Sequence, residues 1–161
     1  MNVLITGMSG TGKSSVIIAL RDAGHRAIDL DEGGWSGWIP SDGNPTGAKP
    51  GHDWLWDETR LKALLAEDHD TPLFVAGCAP NMGQFIQDFE VIVLLSAPLS
   101  TLLKRLRRRS GNTYGKAPRE VAQIEMNHRE IEPRLRRIAT HEFDASRALP
   151  NVVSNIEAVL G

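Results

Sequence analysis

Eight residues near the start of the chain, Gly7-Met8-Ser9-Gly10-Thr11-Gly12-Lys13-Ser14, fit the pattern G-x-x-x-x-G-K-[ST] in full. Glycines let successive N–H groups turn inward without Cβ collisions, so such a turn makes a positive nest for phosphate oxygens at a helix N-terminus. Lys13 is placed to reach β- and γ-phosphates and the Ser14 hydroxyl to ligate Mg²⁺, with Gly7, Ser9, Gly10, Thr11, Gly12 and Ser15 around the same anion. A second group of interest is Ala27-Ile28-Asp29-Leu30-Asp31. Side chains alternate along a strand, so the two carboxylates share one side. Asp29 is expected to hold Mg²⁺ through water and Asp31 to accept the proton of a substrate hydroxyl; an exposed acidic turn is the bland alternative.

These groups need a frame, and the hydrophobic pattern supplies one. Val3 to Ile5 is apolar and rich in β-branched residues, and a helical pattern runs from Ser14 to a stop at Gly24. Further strands are expected at 26–30, 72–76 and 91–96 and a short one near 142–144, with helices at about 54–67, 98–109, 118–140 and 151–160. This β-α alternation predicts an α/β fold: a doubly wound parallel five-stranded sheet flanked by helices, in one domain over 1–161. The phosphate turn then lies between a strand and a helix, the context its chemistry requires.

Two segments interrupt the alternation. Residues 33–51 hold six glycines and three prolines, and the four tryptophans, Trp35, Trp38, Trp54 and Trp56, lie in this stretch or just beyond it. They cap a small satellite core or stack on a substrate, and both readings stand. The other segment runs from the basic cluster Lys104 to Arg109 into the turn-rich 110–118. Either a solvated helix end or a lid closing over phosphates suits it.

Composition narrows the function classes. Eighteen Lys and Arg against twenty Asp and Glu leave a net charge of −2, with no overall attraction to nucleic acid or anionic membrane. A single cysteine, Cys78, excludes an intramolecular disulfide framework and suits a reducing, cytoplasmic setting. Apolar runs are strand-sized and the first residues lack a signal-peptide pattern, so no membrane passage is expected. Asp31-Glu32-Gly33-Gly34 spells D-x-x-G, yet no N-K-x-D follows, which argues against a switch GTPase.

On these residues the chain resembles the small-molecule and nucleotide kinases of the P-loop superfamily, the group of shikimate, gluconate and adenylate kinases. Gly7 to Ser14 is similar to their phosphate loop, and Asp29-Leu30-Asp31 to the D-x-D after their second strand. Gly77-Cys78-Ala79 stands where shikimate kinases carry a glycine-rich substrate turn. Arg108 to Thr113 resembles their arginine-led lid, Pro133 to Thr140 the helix after it, and Asp144 to Pro150 their adenine-contacting loop. The resemblance implies a P-loop kinase domain with a substrate segment at about 33–67 and a lid at about 109–118. It implies that Arg109 stacks near adenine, that Lys116 or a neighbouring lid arginine meets the phosphates, and that Arg105, Ser146, Arg147 and Pro150 border the nucleotide. It also puts Asp31, Gly77 and Cys78 around the acceptor, to which the stacking reading of the aromatic segment adds Trp35, Trp38 and Trp54. Leu55 and Ile131 occupy the places of the arginines that grip the shikimate carboxylate, so shikimate is not the expected substrate.

The resulting expectation is an ATP- and Mg²⁺-dependent phosphotransferase acting on a small hydroxyl- or phosphate-bearing acceptor. The aromatic segment favours a nucleoside or nucleotide over a polyol or sugar acid, with Lys49, Arg60 and Lys62 available to an anionic one. Two other classes fit the phosphate turn: a regulatory ATP-binding module, and a nucleic-acid 5′-end kinase using the 104–109 cluster as a strand track. The small-molecule reading is preferred because that cluster falls where lid arginines belong, so no nucleic-acid partner is expected.

Overall fold

The computed structural model describes residues 1–42, 49–68 and 70–161. In chain order the elements are β1 (Asn2–Thr6), α1 (Lys13–Asp22), β2 (Arg26–Asp29), β3 (Ser36–Pro40), β4 (His52–Trp56), α2 (Glu58–Leu65) and β5 (Leu73–Ala76). A 3₁₀ segment (Pro80–Asp88) leads to β6 (Val91–Ser96), α3 (Leu99–Arg108), α4 (Pro118–Glu130), α5 (Glu132–Ile138), β7 (His141–Asp144) and α6 (Leu149–Ala158).

Five strands pair in the order β2-β5-β1-β6-β7, all parallel. Parallel pairing requires crossovers, and crossover helices cover both faces of the sheet. Every residue of β1 and β5 is accordingly buried, and so are the first five of β6. Leu4, Ile5, Phe74, Leu94 and Leu95 are fully enclosed at the centre. Helix α1 turns Val16, Ile17 and Leu20 inward and packs on β2, β5 and α6, while α5 packs on β6 and α4. The chain moves from β1 outward to β2 on one side and later to β6 and β7 on the other. The C-terminal end of β1 is therefore the topological switch point, where open α/β sheets bind ligands.

The sheet matches the pattern read from sequence; four local features differ from it. The expected loop over 33–51 contains β3, which pairs antiparallel with β4, Trp38 opposite Trp54 and Ser36 opposite Trp56; residues 43–48 of that loop, and His69 in the segment before β5, lie outside the described residues. The helix expected from 54 starts at Glu58 instead. Aromatic residues at 54 and 56 favour a pleated surface, and Asp57 caps α2 by accepting the Arg60 N–H at 2.9 Å. The long helix expected over 118–140 divides at Ile131, because Pro133 has no N–H to offer the preceding turn. The 3₁₀ segment was not expected at all.

That segment anchors the two-stranded sheet. Asn81 Oδ1 accepts the Trp56 backbone N–H at 3.1 Å, and its Nδ2 donates to the Trp56 carbonyl at 3.0 Å. The Trp56 ring packs against Phe85, centroid to centroid 5.8 Å. Asn81→Ala leaves both backbone groups without that partner and should lower the unfolding free energy by about 1–3 kcal/mol. An unchanged midpoint in urea would show that the amide contributes nothing.

Candidate active site

The turn after β1 is shaped by contacts that admit only glycine at two places. Gly7 has φ +150°, and a Cβ there would lie 2.4 Å from the Leu95 carbonyl oxygen on β6. Gly10 has φ +87°, with a Cβ meeting the Leu102 carbonyl of α3 at 3.0 Å. Gly12, left-handed at φ 92°, ends the turn and begins α1, whose first turn holds no acidic residue. The leading N–H groups of α1 thus face the loop with their partial positive charge uncompensated. Thr11 lies inside the turn. Its hydroxyl donates to the Met8 carbonyl at 2.9 Å and is buried, so it closes the turn.

Lys13 Nζ lies over this loop, donating to the carbonyls of Gly7 at 2.8 Å and Met8 at 3.1 Å. One residue on, the Ser14 hydroxyl donates to Asp29 Oδ2 at 2.5 Å, tying α1 to the end of β2. Asp29 is 4% exposed, and its Oδ1 accepts the Asp31 backbone N–H at 3.0 Å. Ser14 and Asp29 fit Mg²⁺, which takes one or two protein oxygens and completes its shell with water and phosphate. Among the described residues no cluster of three or more His, Cys, Asp or Glu converges, so a cage for a softer metal is not built here. Ser9 is half-buried in the loop and Ser15 is exposed on the first turn of α1.

Asp31 sits in the turn after β2, and its Oδ1 accepts the Trp54 indole N–H at 2.9 Å. Asp31 is an exposed residue, and partial desolvation of its carboxyl group by its neighbours raises its pKa above the ordinary Asp value, with Asp29 adding to the rise, while Lys13, the Trp54 N–H and Arg109 pull the other way. Arg109 donates to the lid carbonyls of Asn112 at 3.3 Å and Tyr114 at 3.0 Å, and its charge acts on Asp31. The cation that reaches the proposed adenine loop is instead Arg105, one turn earlier on α3. It donates to the Ala145 carbonyl at 2.6 Å and to the Gly10 carbonyl at 3.4 Å. Lys116 is exposed on the lid and makes no polar contact with these groups. Ser146 donates its N–H and hydroxyl to Asp144, Arg147 lies 3.7 Å from the same carboxylate, and Pro150 is exposed in the first turn of α6.

The four tryptophans divide into two kinds. Trp56 is 2% exposed and lies against Gly77, where a Cβ would come within 3.1 Å of the indole. Trp35 carries the Arg60 guanidinium over its ring at 3.7 Å. Those two pack. Trp38, 40% exposed, meets Trp54 edge to face at 5.2 Å, and Trp54 holds Asp31. Cys78 is half-buried between these elements; desolvation raises its pKa, keeping it a neutral thiol. Asn81 and Arg60 organise this side and were not singled out for it, because both act through backbone carbonyls and N–H groups that carry no sequence signature.

A phosphate turn at the switch point of a parallel sheet, with a hydroxyl and two aspartates beside it, defines a P-loop protein of kinase architecture. The chain belongs to the AAA domain family, which matches it over residues 3–131. Its fold is that of the P-loop kinases. Shikimate kinase from Acinetobacter baumannii, solved with shikimate, superposes with a TM-score of 0.66 at 17% identity, covering 99% of this chain and 92% of that one. Deoxyadenosine kinase from M. mycoides, with bound dATP, gives 0.61 at 12% identity, covering 99% of each chain. A gluconokinase from Sinorhizobium meliloti 1021 gives 0.53 at 21% identity, covering 95% and 87%. No curated protein sequence matches the chain. Among the described residues no helix is long and apolar enough to cross a membrane.

The raised pKa of Asp31 has a consequence for stability. A carboxyl group that binds its proton more tightly folded than unfolded stabilises the protein at low pH, and that contribution is lost as pH rises through the folded value. Asp31→Asn removes the penalty of a charged, crowded carboxylate, so the variant should melt at a higher temperature than the parent at pH 7. The gap should close as pH falls below the ordinary Asp value of 3.8. Equal melting temperatures at both ends of that range would show that Asp31 carries no such cost.

Proposed function

We propose that the protein is an ATP- and Mg²⁺-dependent phosphotransferase that moves the γ-phosphoryl group to a small hydroxyl- or phosphate-bearing acceptor, a nucleoside or nucleotide in the first place. The observation that carries this reading is the run of contacts Ser14–Asp29–Asp31 beside Lys13. Phosphoryl transfer needs positioning and charge neutralisation more than covalent help from the protein. The glycine turn and the start of α1 hold the phosphate tail, and Lys13 exchanges its two loop carbonyls for phosphate oxygens. Mg²⁺, held at Ser14 and Asp29, supplies charge neutralisation and orientation for the phosphates. Asp31 orients the acceptor hydroxyl through the oxygen that Trp54 leaves free and takes its proton; a raised pKa makes it a better acceptor than an ordinary carboxylate. The lid over 109–118, with Arg109, closes over the transferred group and keeps water away. Arg105 borders the base with the 146–150 loop.

Support comes also from what the similar structures are called: shikimate kinase, deoxyadenosine kinase and gluconokinase transfer to three different acceptors on this fold. A soluble protein working in the cytoplasm suits this chemistry. The reading is tested by ADP release coupled to acceptor, screened over nucleosides, nucleotides and sugars. Lys13→Met should reduce turnover by about 10²–10³-fold, the cost of removing one preorganised electrostatic group. Asp31→Asn should lower kcat while ATP binding is retained. Acceptor-dependent ADP release that survives Lys13→Met would defeat the assignment.

A further inference from the structure

The donor and acceptor sides of this site carry opposite charge. Residues 104–119 hold seven cations and no carboxylate, whereas residues 31–60 hold six carboxylates against two cations, Lys49 and Arg60. The undescribed residues 43–48 add neither Lys nor Arg to this count. Both cations are engaged within the segment. Arg60 donates to the Gly33 carbonyl at 2.8 Å while stacked on Trp35, and Lys49 stands over the Trp38 ring at 5.9 Å. Lys62, the third candidate for an anionic acceptor, lies at the other end of the sheet. It sits over Phe85, in a cleft with Asn2 at the start of β1, whereas the phosphate turn follows the end of β1. The cations whose charge acts on Asp31 are Lys13 and Arg109, and in the proposed reaction both serve the transferred phosphoryl group.

Along the chain, cations gather at the end of α3 and in the segment that follows it, and carboxylates in the segment that carries the tryptophan sheet. Excluding a wrong partner by like charge is a strong way to discriminate, because an uncompensated desolvated charge costs more than a missing contact. The acceptor side offers instead one carboxylate with a free oxygen, the half-exposed indole pair Trp38–Trp54, and a neutral thiol at Cys78. We infer that the acceptor is an alcohol without phosphate or carboxylate and with a flat face, of the nucleoside rather than the nucleotide kind. The inference rests on the phosphotransferase reading for the role of the site, and its charge argument is measurable apart from turnover.

All four tryptophans lie between residues 35 and 56, so intrinsic fluorescence reports the acceptor side alone. Titrating the full chain with adenosine and AMP, and with cytidine and CMP, corrected for absorbance, should show each nucleoside binding about tenfold or more tightly than its monophosphate, as expected for a phosphate monoester carrying about −1.5 to −2 charge at pH 7 in such a field. The gap should narrow as ionic strength rises from ~0.01 M to ~0.1 M, over which the screening length falls from ~30 Å to ~10 Å. ADP release should follow the same order. Equal or tighter binding of the monophosphates, a gap indifferent to salt, or no binding of any nucleoside would each overturn the inference. Binding of a fluorescent ATP analogue, followed at its own emission, is scored separately. Its loss would count against the phosphotransferase reading, while its retention leaves that reading standing whatever the acceptor titrations show.

Discussion

The contact between the phosphate turn and the strand beside it governs this structure. At Gly7 the backbone passes so close to the Leu95 carbonyl that a methyl group would stand 2.4 Å from the oxygen. This approach lets the turn curl back at the end of β1, brings the N-terminus of α1 over the sheet edge, and lets α3 rest on Gly10. Everything that could handle a phosphate depends on it: the aim of the α1 N–H groups, the reach of Lys13 along the loop, and the span of Arg105 from Gly10 to Ala145. The site is held by backbone packing, which deforms reluctantly, and so it is in place before any ligand arrives.

From that anchor the aspartates acquire different roles by position alone. Asp29, itself buried, ends the half-buried edge strand β2 and has its two oxygens met by Ser14 and by the N–H of Asp31. Asp31 is two residues further on, in a turn at the surface, with one oxygen held by an indole and the other available. A carboxylate that accepts hydrogen bonds on both oxygens is suited to a metal's outer contacts, and one that is half-satisfied is suited to a proton.

How far these features can be read from residues depends on whether they live in local pattern or in tertiary contact. The parallel sheet was legible because β1, β5 and β6 are continuous apolar runs, the signature of strands buried on both faces. The phosphate turn was legible because its residue types and spacing are the mechanism itself. The β3–β4 sheet was not, since glycines and prolines over 33–51 mask two short strands whose pairing is non-local, and Trp54 and Trp56 suit either a strand or an amphipathic helix. Asn81 was invisible because its work is to satisfy the two backbone groups of a residue twenty-five positions away. Arg105 and Arg109 were seen as a pair, and only the packing of α3 decides which reaches the 145–150 loop and which faces Asp31.

A net charge of −2 conceals an uneven distribution of charge along the chain. Summed over the chain the charges nearly cancel, but they are sorted along it, with cations around the lid and carboxylates around the tryptophan sheet. Sorting of this kind does little for folding, because exposed like charges repel and contribute little even when paired. It does act on ligands. A kinase with an anionic acceptor must draw two anions into one cleft and so needs cations on both sides; a kinase with an uncharged acceptor needs them on one. In this chain the one arginine between residues 29 and 60, Arg60, is stacked on Trp35 and donates to the Gly33 carbonyl, so the guanidinium nearest the tryptophan sheet is turned to holding the scaffold together.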